Sequence, residues 1–138
     1  MEGGLGRFLE AQAGVFDQVL IELAVGRKTS HWMWFVFPQL EGLGSSPTSR
    51  FYSIKDRSEA EAYLNHPLLG SRLMTCVYAV LAHRQKELVD IFGYPDDLKF
   101  CSSMTLFSHL PGASAAFHEA IEIFCQGHDD PKTLLLLE

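Results

Sequence analysis

The sequence predicts an all-α fold, a single multihelical domain of about six to seven helices with an irregular aromatic-rich segment near residues 28–44. Three observations lead there. Apolar residues recur at three- and four-residue spacing along most of the chain. Short turn signals built on Gly, Pro, Ser and Asp separate those runs. No hairpin signal appears, and no alternation of strands with helices. A length of 138 residues makes one domain the expectation, over 1–138, with 1–6 as a flexible lead-in.

In chain order, Phe8, Ala11, Val15, Val19 and Leu23 give one apolar stripe, which predicts a helix over 7–25. Gly26 is its stop, and Arg27 and Lys28 suit the negative end of a helix. Residues 32–37 are continuously apolar, and periodicity does not separate a strand from a helical turn there. Pro38 pushes Phe37 towards an extended conformation. The run from Gly42 to Pro47 reads as a loop. Ser58 and Glu61 form a capping box for a helix that stops near His66-Pro67. Pro67 can open the next helix, which runs to about His83 and buries Leu69, Leu73, Cys76, Val77, Val80 and Leu81. A helical run from Lys86 to Phe92 closes at Gly93. Asp96 or Asp97 can cap a helix over 97–108, and Ser114 one over 115–126. Asp130-Pro131 reads as cap plus first-turn proline for a terminal helix.

Composition narrows the function. With 47% hydrophobic and 20% charged residues, the chain is globular. A net charge of −6 argues against nucleic acid and against an anionic membrane surface as partners. The apolar stretches are too short to span a bilayer, and no secretory leader is visible. Cys76, Cys101 and Cys125 are odd in number and show no C-x-x-C spacing, which argues against a disulfide scaffold and for a reduced, cytoplasmic setting. The six histidines show no metal-ligand spacing, so no metal site is expected, and the sequence names no cofactor.

Two patches hold the residues suited to chemistry. In the first, His31 beside two tryptophans can act as general acid or base, or be satisfied by backbone groups. Trp32 and Trp34 can stack on a ligand or pack in the core. On a strand they share a face; on a helix they diverge by roughly 200°. Lys28 can neutralise a phosphate or be a solvated helix end. In the second patch, Lys99, Ser102, Ser103 and Thr105 fall within two helical turns, as ligand contacts or as caps on an amphipathic helix. Lys99 and Ser103, four apart, share a face.

Taken in order, these motifs resemble one family. They are Gly26-Arg27-Lys28-x-Ser30-His31-Trp32-Met33-Trp34-Phe35-x-Phe37-Pro38-Gln39-Leu40, Gly42-Leu43-Gly44-x-Ser46, His66-Pro67-x-Leu69-Gly70-x-Arg72-Leu73, and Asp96-Asp97-x-Lys99-x-x-Ser102-Ser103-Met104-Thr105-Leu106-Phe107. The chain is similar in them to the domain-of-unknown-function 1810 family, over about residues 7–138. The resemblance implies a small, mainly α-helical domain. A looser likeness in size and helical character, to the NADAR domains, links it by analogy to NAD and ADP-ribose chemistry. A pattern that includes Lys28, His31, Gln39, Lys99, Ser102, Ser103 and Thr105 implies a polar pocket.

The expectation is therefore a small-molecule binding domain for a nucleotide or ADP-ribose-like ligand. Lys28 and Lys99 would meet its anionic groups, Trp32 or Trp34 would stack, and Gln39, Ser102, Ser103 and Thr105 would be contacts. If it hydrolyses such a ligand, His31 is the acid/base. The alternative is a non-enzymatic interaction or structural module, compatible with a homodimer.

Overall fold

Ten helices follow one another in the computed structural model, which describes residues 4–138: α1 (Gly6–Gln12), α2 (Phe16–Val25), α3 (Met33–Val36), α4 (Pro47–Phe51), α5 (Arg57–Asn65), α6 (Leu69–Leu81), α7 (Leu88–Phe92), α8 (Asp96–Ser108), α9 (Ala115–Phe124) and α10 (Pro131–Leu137). The all-α expectation holds. The larger helix number comes from the division of the predicted 7–25 helix into α1 and α2, and from two short pieces, α3 and α4, in the stretch that periodicity leaves irregular. Among the described residues the one β-type contact is an isolated parallel bridge between Leu40 and Ile54. The proposed lead-in falls in part on residues 1–3, which lie outside the described residues; α1 begins at Gly6.

Helix α8 is the centre of the arrangement. It packs against α5, α7, α9 and α10, and seven of its residues are buried, Phe100 and the run from Ser102 to Phe107. A helix enclosed on most sides cannot keep a polar face in water, so its serines and threonine need partners inside. Helix α6 buries the predicted face, Leu69, Leu73, Cys76, Val77, Val80 and Leu81, against α2, α5 and α9.

The aromatic segment closes the core beside α8. Phe37 lies edge-on to Phe100 with ring centroids 5.1 Å apart, and Phe92 stacks on Phe100 at 5.1 Å. Trp32 meets Phe92 edge-on at 6.4 Å. Such aromatic pairs contribute about 0.5–1.5 kcal/mol each beyond their area.

Several boundaries differ from the sequence reading, each for a local reason. The predicted 7–25 helix breaks at Gly14, which takes the left-handed conformation (φ 81°). Asp56, not Ser58, caps α5, accepting from the Glu59 amide at 2.9 Å; Glu59 then turns to Arg7. Pro67 does not open α6: the His66 ring Nδ1 accepts from the Leu68 and Leu69 amides, and the helix starts at Leu69. Asp96 and Asp97 lie inside the first turn of α8 after an N-cap at Pro95. Ser114 and Asp130 cap α9 and α10 as predicted, by way of the Ala116 and Thr133 amides.

The cysteines also correct the sequence reading. Cys101 of α8 and Cys125 at the end of α9 form a disulfide, with Cα atoms 6.0 Å apart. Their sequence separation of 24 carries no signal; the pair meets because α8 and α9 pack together. Cys76 is a free thiol, buried on α6, and burial pushes its pKa up to about 12 despite the Arg72 charge.

Candidate functional site

The 26–32 turn is held by a residue outside the sequence motifs, Glu22 on α2. Its side chain accepts from Gln18 Nε2, the Thr29 and Ser30 amides, Ser30 Oγ and Trp32 Nε1. Burial alone would raise this carboxyl. The donors from Ser30, Gln18, Thr29 and Trp32 outweigh it and hold the group far below the usual carboxylate range. The end of α2 is closed from the other side: His83 Nε2 lies 2.8 Å from the Leu23 carbonyl, and Lys86 Nζ donates to the Gly26 carbonyl at 3.1 Å. The carbonyl only accepts, so Nε2 carries the proton.

This turn delivers Lys28 to the start of α8. The Lys28 amide donates to the Ile91 carbonyl at 2.7 Å, and its ammonium lies 2.8 Å from Asp96 Oδ2. Lys99 Nζ lies 3.3 Å from the other oxygen of the same carboxylate. Each ammonium also faces an indole at 5.3 Å from the ring centroid, Lys28 that of Trp32 and Lys99 that of Trp34. The helical turn from Met33 makes the two tryptophans diverge. Trp32 is 2% exposed inside the core, while Trp34 is half-buried.

Four of the predicted residues, Lys28, Trp32, Trp34 and Lys99, thus meet around Asp96. Gln39 shares a narrow crevice of about 10 Å³ with Trp34, Tyr52 and Ser49, the size of one water. His31 is exposed on the same segment, with no hydrogen bond among the described residues.

The Ser102 and Thr105 hydroxyls of α8 are occupied elsewhere. Ser102 Oγ shares its one proton between the Leu98 carbonyl and Asp130 Oδ2, each at 3.2 Å. Thr105 Oγ1 donates to the Cys101 carbonyl at 2.8 Å and accepts from the Asp130 amide at 2.9 Å. They dock α10 through Asp130, which also accepts from Thr133. Ser103 is fully buried, and its Oγ has no hydrogen-bond partner among the described residues.

Asp96 and Glu22 are the residues that sequence reasoning missed. The three-residue spacing from Asp96 to Lys99 was a readable signal. Glu22 offered less: an acidic residue one position from the apolar stripe of α2. Among the described residues no group of three His, Cys, Asp or Glu side chains is placed to hold a metal, and no helix is long and apolar enough to cross a membrane.

Fold and cluster together describe a small all-α domain in which an aromatic turn and the start of a central helix share one carboxylate between two lysines. The chain belongs to the domain-of-unknown-function 1810 family, whose profile, described as a protein of unknown function, matches residues 2–137. Among solved structures it is similar to the crystal structure of the conserved hypothetical protein Rv1873 from Mycobacterium tuberculosis. The two share 50% identity over 96% of this chain and 95% of that one, with a TM-score of 0.94. The comparison with curated proteins gave no match.

Proposed function

We propose that this chain is a cytoplasmic binding domain for an anionic small molecule of the nucleotide or ADP-ribose class, seated over Lys28, Trp34 and Lys99. One observation carries the reading: two ammonium groups share the single carboxylate of Asp96, at 2.8 and 3.3 Å. The two ammonium groups compete for one carboxylate, and Lys99, the more exposed of the two, can turn to an incoming anion. A phosphate oxygen is the natural complement. The half-buried Trp34 ring beside Lys99 offers a stacking surface for a base or ribose. His31 and Gln39 supply hydrogen bonds, with Trp32 as the fixed back wall. In the hydrolytic form of this reading His31, open to solvent, is the acid/base. Ser102 and Thr105 then act by holding α8 in place, and Ser103 lies fully buried within it.

The test is calorimetric titration of the full chain with ADP-ribose, AMP and inorganic phosphate, with thermal unfolding in parallel. ADP-ribose or AMP is expected to bind and to raise Tm. At a hundredfold excess over Kd the stabilisation is about 2.7 kcal/mol. Lys99→Ala and Trp34→Ala should lose binding while keeping the unliganded Tm within a few degrees. Heat and Tm that stay flat with all three ligands at millimolar concentration would sink the reading. Release of free ribose or nucleobase, absent in His31→Ala, would establish the hydrolytic form.

A second reading, a homodimeric interaction module without chemistry, draws on one feature. Ile21 and Val25, four apart on α2, are 57% and 66% exposed, and Tyr78 on the adjoining α6 is 56% exposed. Sedimentation of the wild type and of Val25→Glu distinguishes it: a dimer lost in the variant supports the module.

A further inference from the structure

We propose that Cys101–Cys125 is a thiol–disulfide exchange site, reached through a cavity that favours small cationic thiols over anionic ones. The bridge lies in the wall of a solvent-open cavity of about 470 Å³ between α7, the first turns of α8 and the turn after α9. Both cysteines are only partly buried, and both line the cavity. Leu98 and Phe124 supply an apolar floor. Four carboxylates line the cavity, Glu87, Asp97, Asp129 and Asp130, and no Lys or Arg does among the described residues. Asp97 and Cys101 lie four apart on α8 and share a face.

A second observation separates exchange from scaffolding. The segment after Cys125 is also anchored by hydrogen bonds that do not involve the bridge. The Gly127 amide donates to the Ile121 carbonyl at 3.0 Å, and the Asp130 amide to Thr105 Oγ1 at 2.9 Å. Asp130 Oδ2 accepts from Ser102 and Thr133, and Asp129 Oδ2 lies 3.0 Å from His109 Nε2. Opening the disulfide therefore leaves α10 docked.

The chemistry balances with two equivalents of a low-molecular-weight thiol. A thiolate attacks one cysteine sulfur, a new S–S bond forms, and the Cys101–Cys125 bond breaks. Its electron pair leaves on the other cysteine, which takes a proton from solvent. A second thiolate then attacks the mixed disulfide at the small-molecule sulfur and releases the remaining cysteine. Two thiols are oxidised to one disulfide, and the protein cystine is reduced to two thiols. The acidic lining repels an incoming carboxylate and attracts an ammonium, at distances where the Coulomb interaction survives.

The test uses the intact oxidised chain with cysteamine and mercaptoacetate, thiols of similar size and opposite charge. Rates are followed by alkylation and mass spectrometry, with peptide mapping to separate Cys76 from the bridge. Each rate is divided by that of the same thiol on a neutral dialkyl disulfide. The normalised rate is expected to be first order in thiol and at least about fivefold higher for cysteamine at low ionic strength. High salt, and independently Glu87→Gln with Asp97→Asn, should bring the ratio towards one. Free Cys101 and Cys125 in protein prepared without reductant overturn the proposal. So does a rate independent of thiol concentration, which means access only by unfolding, or a charge ratio equal to that of the reference disulfide.

Discussion

The indole N–H of Trp32 donates to Glu22 Oε1 at 2.9 Å. A tryptophan from the aromatic motif is thereby fixed in the core by a carboxylate ten residues earlier, which also accepts from Thr29 and Ser30 in the turn between them. With this pairing Trp32 is buried, while Trp34 stays half-buried.

Removing the charge at Glu22 should expose how much the turn depends on it. Glu22→Gln keeps the shape but removes the charge, and with its oxygen kept towards the amides and the indole its NH2 replaces the oxygen that accepts from Gln18 and Ser30 Oγ. The expected cost is about 2–3 kcal/mol, from several hydrogen bonds to one charged group. The denaturant midpoint measures it, and Trp32 fluorescence should shift to the red as the ring gains water.

Acid should act through the same group. Glu22 and Glu59 both have folded pKa values below the ordinary 4.5: burial opposes this, and hydrogen bonds, from Ser30 first at Glu22 and from Arg7 first at Glu59, outweigh it. A depressed folded pKa contributes stability that is present above the unfolded pKa and lost as pH falls towards the folded one. The unfolding free energy should be flat from neutrality to about pH 5 and decline below the ordinary carboxylate value. In Glu22→Gln the decline should be shallower, as read from Tm against pH.

Arg7 offers a test of geometry against charge. Its guanidinium meets both oxygens of Glu59 at 3.1 Å and donates to the Phe51 and Ser53 carbonyls at 2.7 Å. Arg7→Ala strands a largely enclosed carboxylate and two carbonyls, at an expected cost of about 3 kcal/mol. Arg7→Lys keeps the charge without the fork and should recover less than half of it. Urea unfolding of the two variants decides between fork and charge.

Gly70 should defy helix propensity. In an open helix, Gly→Ala stabilises by about 1 kcal/mol. A Cβ at Gly70 would overlap the Leu64 carbonyl oxygen, where the end of α5 passes α6. Gly70→Ala should therefore lower Tm by several degrees, whereas a rise would mean that the two helices part easily.

Local signals were the legible ones. Asp130-Pro131 and Ser114 act within three residues of themselves, and the apolar face of α6 repeats over several turns; all were readable. Lys28, Trp34 and Lys99 were readable as residue types, and Asp96 as a helical neighbour of Lys99. That Lys28 shares Asp96 was not, because a tertiary approach between residues 28 and 96 creates it. The Cys101–Cys125 pairing is hidden for the same reason. Ser102 and Thr105 looked like ligand hydroxyls because a sequence does not say that their acceptor and donor arrive from Asp130. At Gly14 the apolar stripe ran on unbroken, and a single left-handed residue overrode it.

The bridge between Leu40 and Ile54 has a consequence for how the chain can change. The Glu41 amide donates to the Ile54 carbonyl at 2.7 Å and the Ile54 amide to the Gln39 carbonyl at 2.8 Å, so two backbone bonds fasten the base of the excursion that contains α4. Its outer part around Ser45 is exposed. Once the two ends are clamped, lengthening the excursion costs only a slowly growing entropy, roughly 0.6 kcal/mol per doubling. The segment is therefore a natural place for insertions, whether by evolutionary drift or by an epitope spliced in at Ser45, with the aromatic core beneath it undisturbed.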